Sequence, residues 1–181
     1  MFHEMTIAGV KRQLPLCKVT DDLYIAAFIM FSDVEITKAA AAELLKKAPE
    51  FDIMITAESK GIPLTYEMAR QAGVNDYVVA RKGAKLYMTD IVSTQVDSIT
   101  TDHIQTLCIG GKEASQLCGK RVLIVDDVIS TGESLRSLET LVDQVGGIIV
   151  GRMAVLAEAA DRDDIIYLEK LPVFNPDGSI K

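Results

Sequence analysis

The stretch VLIVDDVISTGES, residues 122–134, combines the residue types best suited to chemistry. Four apolar residues run into two adjacent carboxylates, Asp126 and Asp127, and a small-residue turn of Ser130, Thr131, Gly132, Glu133 and Ser134 follows. A turn of this kind opening a helix can aim free backbone N–H groups and the positive helix end at one anion, which suits a phosphate monoester. On the loop alone, an ordinary helix N-cap accounts for the same hydroxyls equally well. The aspartates break that tie. Consecutive carboxylates on a strand point to opposite faces, and burying both is costly unless each is paired. At a strand exit they can instead accept hydrogen bonds from vicinal hydroxyls or hold a hydrated metal ion. A ligand with a phosphate at one end and a diol in its middle satisfies both halves of the stretch. That ligand is a sugar phosphate.

Two further stretches supply cations. In ITAESKGIP, residues 55–63, Glu58 and Ser59 lead to Lys60 and Gly61 in a second small-residue turn before a helix. In VVARKGAK, residues 78–85, Arg81, Lys82 and Lys85 cluster within five residues of a chain that is acidic overall. One such cation at a strand end is ordinarily a solvated surface charge. Two basic groupings at the edge that carries the phosphate loop point to a second, more highly charged group such as a pyrophosphate.

These residues need a frame. The Ala/Leu/Lys-rich run 36–48, followed by Pro49, predicts a helix. Strands are predicted over 51–56, 76–80, 121–126, 148–157 and 164–169, and helices over 62–72 and 133–145. The second of those helices places Leu135, Leu138, Leu141, Val142 and Val145 on one face, and Gly146 ends it. Residues 1–34 read as irregular, and the threonine-rich segment 83–118 as a long excursion or hairpin. Alternating strands and helices with short, continuously apolar strands predict an α/β fold with a central, mostly parallel sheet flanked by helices. Ligands in such folds bind beyond the carboxyl ends of the strands, where all three loaded stretches begin.

A chain of 181 residues is long enough for one domain with a sizeable core. No apolar run approaches the roughly 18 residues of a membrane span, and the first residues do not read as a secretory signal. Three cysteines at unrelated spacings and two histidines make a Cys/His zinc site improbable and point to reduced cytosolic thiols. A net charge of −7 argues against a nucleic-acid footprint. A nucleotide-binding G-x-x-x-x-G-K-S/T loop and a dinucleotide G-x-G-x-x-G turn are both absent. Only 54 residues follow Asp127, too few for a receiver domain opened by LIVDD.

VLIVDDVISTGES resembles the 5-phosphoribosyl-1-pyrophosphate (PRPP) signature of the type I phosphoribosyltransferases, with the acids and the Thr-Gly in register. AESKGIPL, residues 57–64, is similar to that family's pyrophosphate loop, and VVARKGAKLY, residues 78–87, to the basic strand exit of its purine branch. Length and Glu58 are closest to the adenine phosphoribosyltransferases. Lys60 departs from the arginine usual in that branch, and the ARK at residues 80–82 is shared with xanthine phosphoribosyltransferases.

The resemblance implies transfer of phosphoribose from PRPP to a purine, adenine before xanthine or guanine, with Mg²⁺ carried by PRPP and water and no residue ligating it directly. It implies that Asp126 and Asp127 hold the ribose hydroxyls and favour the charge developing on the sugar, as the catalytic pair. Residues Ser130, Thr131, Gly132, Glu133 and Ser134 would hold the 5-phosphate. Glu58, Ser59, Lys60 and Gly61 would cradle pyrophosphate, with Arg81, Lys82 and Lys85 neutralising its departing charge. Residues 1–34 would form a base-binding hood, with Arg12, Leu14 and Phe28 as candidates, over a core of residues 35–170 and a tail of 171–181. Segment 86–107 would be a closing loop with contacts from Ser98, Thr100 and Thr101, His103 being a loop residue without a catalytic part. A cytoplasmic homodimer without nucleic acid or membrane completes the expectation. A PRPP-sensing regulator that keeps the pocket but not the catalysis is the alternative of a different class.

Overall fold

The computed structural model describes residues 1–96, 105–158 and 162–181. Ser98, Thr100, Thr101 and His103 lie outside the described residues.

The N-terminal segment is not irregular. Strands β1 (Phe2–Ile7) and β2 (Val10–Thr20) form an antiparallel hairpin, and β3 (Leu23–Ala26) pairs back on β2. The first turn is two residues long, with Ala8 at φ 50° and Gly9 at φ 78°, the left-handed pair that matches strand twist in tight hairpins. Alternation along β1 was the available signal: His3, Met5 and Ile7 turn inward, whereas Phe2, Glu4 and Thr6 face solvent.

Helix α1 (Val34–Lys47) starts where Asp33 accepts a hydrogen bond from the Ile36 N–H at 3.1 Å. Strand β4 (Ile53–Ala57) is buried along its whole length and leads to α2 (Gly61–Ala72), which ends at left-handed Gly73, φ 71°. After β5 (Val78–Ala80) the predicted excursion contains a hairpin, β6 (Val92–Val96) with β7 (Gln105–Ile109), and also a short helix, α3 (Gly111–Leu117). That helix escaped the sequence reading because polar residues hide its one buried anchor, Leu117. Strand β8 (Arg121–Ile129), helix α4 (Glu133–Gln144), β9 (Ile148–Glu158) and β10 (Ile166–Leu171) complete a five-stranded parallel sheet of order β10-β9-β8-β4-β5. Finally β11 (Val173–Phe174) pairs with β3, closing the four-stranded sheet β1-β2-β3-β11.

The parallel sheet is covered on both faces. One core joins Leu123, Val125 and Met153 to Leu44, Leu64 and Met68 of α1 and α2, to Ile7 and Leu14 of the antiparallel sheet, and to Phe28 just after β3. The other packs Val122, Ile124 and Ala154 against Leu135, Leu138 and Leu141 of α4 and Leu107 and Ile109 of the hairpin. Each fully buried leucine contributes on the order of 2 kcal/mol by removal from water. Behind α4, Glu139 bonds to both Arg152 and Arg162, and Arg162 also grips Asp164 at 2.6 and 2.8 Å. This network fastens α4 to β9 and to the approach to β10.

Glu67 on α2 is a buried carboxylate gripped by Arg70 at 2.7 and 2.8 Å and by Gln71 at 2.8 Å. The Arg70 guanidinium, with help from Gln71 and against the effect of burial, brings its pKa from 4.5 down to about 2. A carboxyl held down in this way adds stability above its unfolded pKa and loses it as pH falls through the folded one. Glu67→Gln should therefore lower stability by about 1 kcal/mol at neutral pH. Urea midpoints measured across pH should show the gap to the unsubstituted protein closing as pH falls from 4.5 toward about 2.

Candidate active site at the carboxyl edge of the sheet

Strands β5, β4 and β8 are adjacent and parallel, so the three chemically loaded stretches leave the sheet side by side. On β8 the apolar run ends at Val125, and Asp126 and Asp127 follow while pairing with β9 continues to Ile129. Asp127 is 3% exposed, and Lys60 Nζ lies 2.8 Å from its Oδ2. Asp126 Oδ1 accepts the Asp127 backbone N–H at 2.9 Å. Burial, and then the charge of Asp127, push the Asp126 carboxyl well above the ordinary range, with Lys60 pulling the other way. Lysine thus sits against Asp127, and Asp126 beside it is the acid whose charge is disfavoured.

Lys60 reaches Asp127 because α2 starts against β8. A methyl group on Gly61 would lie 2.2 Å from Thr56 Oγ1, 3.0 Å from Asp126 Oδ1 and 3.3 Å from Asp126 Cα. Only glycine permits that approach. The Thr56 hydroxyl at this junction is fully buried and has no hydrogen-bond partner among the described residues.

At the third exit Gly132 takes a left-handed conformation, φ 80°, and caps α4 with no side-chain hydrogen bond to the helix. The N-cap position is thus filled by glycine and not by Ser130, Thr131 or Ser134, and the positive end of α4 opens at this turn. A cavity of about 170 Å³ sits there, lined by Asp126, Val128 and the segment from Ile129 through Ser130, Thr131, Gly132, Glu133 and Ser134 to Leu135. The acid and the phosphate loop therefore share one small polar hollow.

The basic exit is organised around Glu58. Arg81 contacts its carboxylate at 3.2 and 3.4 Å, and the Lys82 backbone N–H donates to it at 3.1 Å. The Lys82 N–H first, and then Arg81, hold the Glu58 carboxyl below its usual value. Arg81 also donates to the Tyr87 hydroxyl at 2.8 Å, and its backbone N–H and C=O each bond to Cys108 at 2.8 Å. Glu58, Arg81 and Lys82 thus form one cluster, Lys60 and Gly61 abut the acids, and Lys85 lies close enough to affect the Glu58 charge. Ser59 accepts the Ile62 N–H at 3.2 Å in the turn between them.

The hood candidates are placed elsewhere. Arg12 is bound by Asp33 at 2.7 and 2.9 Å and by Glu35 at 2.8 Å, while Leu14 and Phe28 are buried in the core. None of the three lines the hollow at the phosphate loop. A larger cavity of about 520 Å³ lies between α1 and α2, beside Val34 and Tyr66, and contains none of the acids or loop residues. Sequence reasoning passed over Thr56, Tyr87 and Glu158. The last ends β9, half-buried, and burial raises its carboxyl against the influence of Lys60. A charged residue closing an otherwise apolar strand was the available signal for Glu158.

The sequence profile of the "Phosphoribosyl transferase domain" family matches residues 32–173. The chain is 32% identical over 115 residues to the purine biosynthesis transcriptional repressor PurR of Bacillus subtilis, a match covering 64% of this chain and 39% of the repressor's length. It is 32% identical over 123 residues to the adenine phosphoribosyltransferase of Cenarchaeum symbiosum, covering 67% of this chain and 68% of that one. The crystal structure of adenine phosphoribosyltransferase from Thermoanaerobacter pseudethanolicus superposes with a TM-score of 0.67 at 24% identity, covering 94% of this chain and 95% of that one, which establishes a shared fold.

Replacing Gly61 tests the junction. Gly61→Ala should destabilise the protein by about 1–3 kcal/mol through overpacking against Thr56 and Asp126, read as a lower urea midpoint at unchanged slope.

Proposed function

The chain belongs to the phosphoribosyl transferase domain family, and on that premise we propose that it moves the 5-phosphoribosyl group from PRPP to a purine base, adenine foremost, releasing pyrophosphate. The observation that carries this reading is the hollow in which Asp126 meets the Ser130–Ser134 loop. It accepts a 5-phosphate on backbone N–H groups and presents a carboxyl where the ribose hydroxyls must fall.

Asp126 and Asp127 hold the diol, and their negative charge grows in value as the sugar ring becomes cationic on its way to the transition state. Lys60 reaches from Asp127 toward the diphosphate, and Arg81, Lys82 and Lys85 draw off its charge on departure. Glu58 positions this group by holding the Arg81 side chain and the Lys82 backbone. Mg²⁺ would be carried by the diphosphate and by water, where it would help neutralise the leaving group. Residues 1–34, with β11 from the tail, cover the base from above the sheet edge. A homodimer is consistent with the exposed Phe31, Val34 and Tyr66 beside the α1–α2 cavity, and three unpaired cysteines suit a reducing cytoplasm.

The likeness to PurR favours one second reading, a PRPP-responsive regulator without turnover. Pyrophosphate release measured with PRPP, Mg²⁺ and adenine, hypoxanthine, guanine or xanthine separates the two. Turnover, fastest with adenine, is expected, and PRPP binding without turnover of any base would leave the regulator. In the enzyme, Asp127→Asn should lower kcat about a hundredfold with a smaller change in PRPP affinity, checked by steady-state kinetics beside calorimetric binding.

A further inference from the structure

Thr56 interrupts an otherwise apolar, wholly buried strand, IMITA, and its hydroxyl has no hydrogen-bond partner among the described residues. A buried hydroxyl without a partner costs on the order of 1–3 kcal/mol, which valine, of the same shape, would not incur. The hydroxyl is aimed at a particular place. Its oxygen and Asp126 Oδ1 lie 2.2 and 3.0 Å from the same point, the place a Cβ on Gly61 would occupy. A hydroxyl both donates and accepts, so it can serve a carboxyl in either protonation state.

We propose that Thr56 is the positioning residue of Asp126: its hydroxyl donates a hydrogen bond to that carboxylate when a sugar phosphate at the strand exit holds it charged. Asp126 is faced by Asp127 on its own strand and by Lys60 from the turn before α2. Glu133 at the head of α4 shares its hollow, and Glu158 at the end of β9 faces Lys60 in turn. Lys60 is committed to Asp127 at 2.8 Å, so the ionised Asp126 lacks a dedicated donor beyond the Asp127 N–H. Thr56 supplies it from beneath, on the side that ligand hydroxyls do not occupy. A charge-assisted bond of this kind fixes the carboxylate's orientation and favours its charged form.

The inference rests on the PRPP-binding reading of the site, and its test separates the two. PRPP affinity is measured by calorimetry from pH 5 to 9 in the presence of Mg²⁺ for the unsubstituted protein, Thr56→Val and Thr56→Ser. Removing a donor to the charged form raises the Asp126 pKa in the complex. In Thr56→Val the fall of affinity on acidification should therefore level off about one pH unit higher, with roughly tenfold weaker binding near neutrality. Thr56→Ser should restore both. Thermal unfolding of ligand-free Thr56→Val should be unchanged or raised, since the variant loses an unsatisfied hydroxyl. A Thr56→Val protein with unaltered affinity and pH profile overturns the inference while leaving the PRPP reading intact. Failure of the unsubstituted protein to bind PRPP overturns both.

Discussion

The meeting of the turn before α2 with strand β8 is the constraint on which the site depends. Gly61 lies against Asp126 closely enough to exclude a side chain, and that contact delivers Lys60 to the buried Asp127. A carboxylate taken out of water and left alone would cost several kcal/mol, and lysine at 2.8 Å offsets much of it. Asp126, one residue earlier, has no cation of its own and is pushed toward its protonated form by burial and by its neighbour. Neighbouring acids thus meet different surroundings, one beside a lysine and one without, the usual way a fold divides roles between like groups.

The rest of the edge is arranged around that junction. Parallel order puts β4 between β5 and β8, so the Lys60 turn stands between the basic exit and the phosphate loop. Glu58 contributes no positive charge to a diphosphate, yet it fixes Arg81 and the Lys82 backbone, and Arg81 is braced a second time by Tyr87. Gly132 in turn makes the N-cap of α4 with backbone alone. Cation, acid and anion hollow each depend on a glycine or an ion pair for their placement.

Much of this was legible in the sequence. Continuous apolar strands entering DD, ESKG and ARKGAK fixed both the parallel sheet and the edge that carries chemistry, because burial on two faces leaves no other way to read them. Tertiary pairings were the hidden part. Nothing local shows that Arg12, a base-binding candidate, is bound to Asp33 and Glu35. Leu14 and Phe28, the other two candidates, are buried in the core, which their side chains alone do not reveal. The β1–β2 hairpin was missed because Ala-Gly is a weak turn signal, although both residues adopt the left-handed angles that the turn requires. Thr56 was missed for the opposite reason, since threonine is common in strands and only its unpartnered hydroxyl makes it unusual.

The antiparallel sheet draws its first three strands from the beginning of the chain and its fourth, β11, from beyond β10. Val173 and Phe174 pair with Ile25 and Tyr24, and Phe174 is almost completely buried beside His3, ring centroids 4.9 Å apart. During synthesis the hairpin and β3 emerge first, yet their apolar side stays uncovered until the whole parallel sheet has been made. The antiparallel sheet is therefore completed only after the parallel one. A nascent chain halted before residue 173 would have its acid pair in place while that sheet still lacked its final strand.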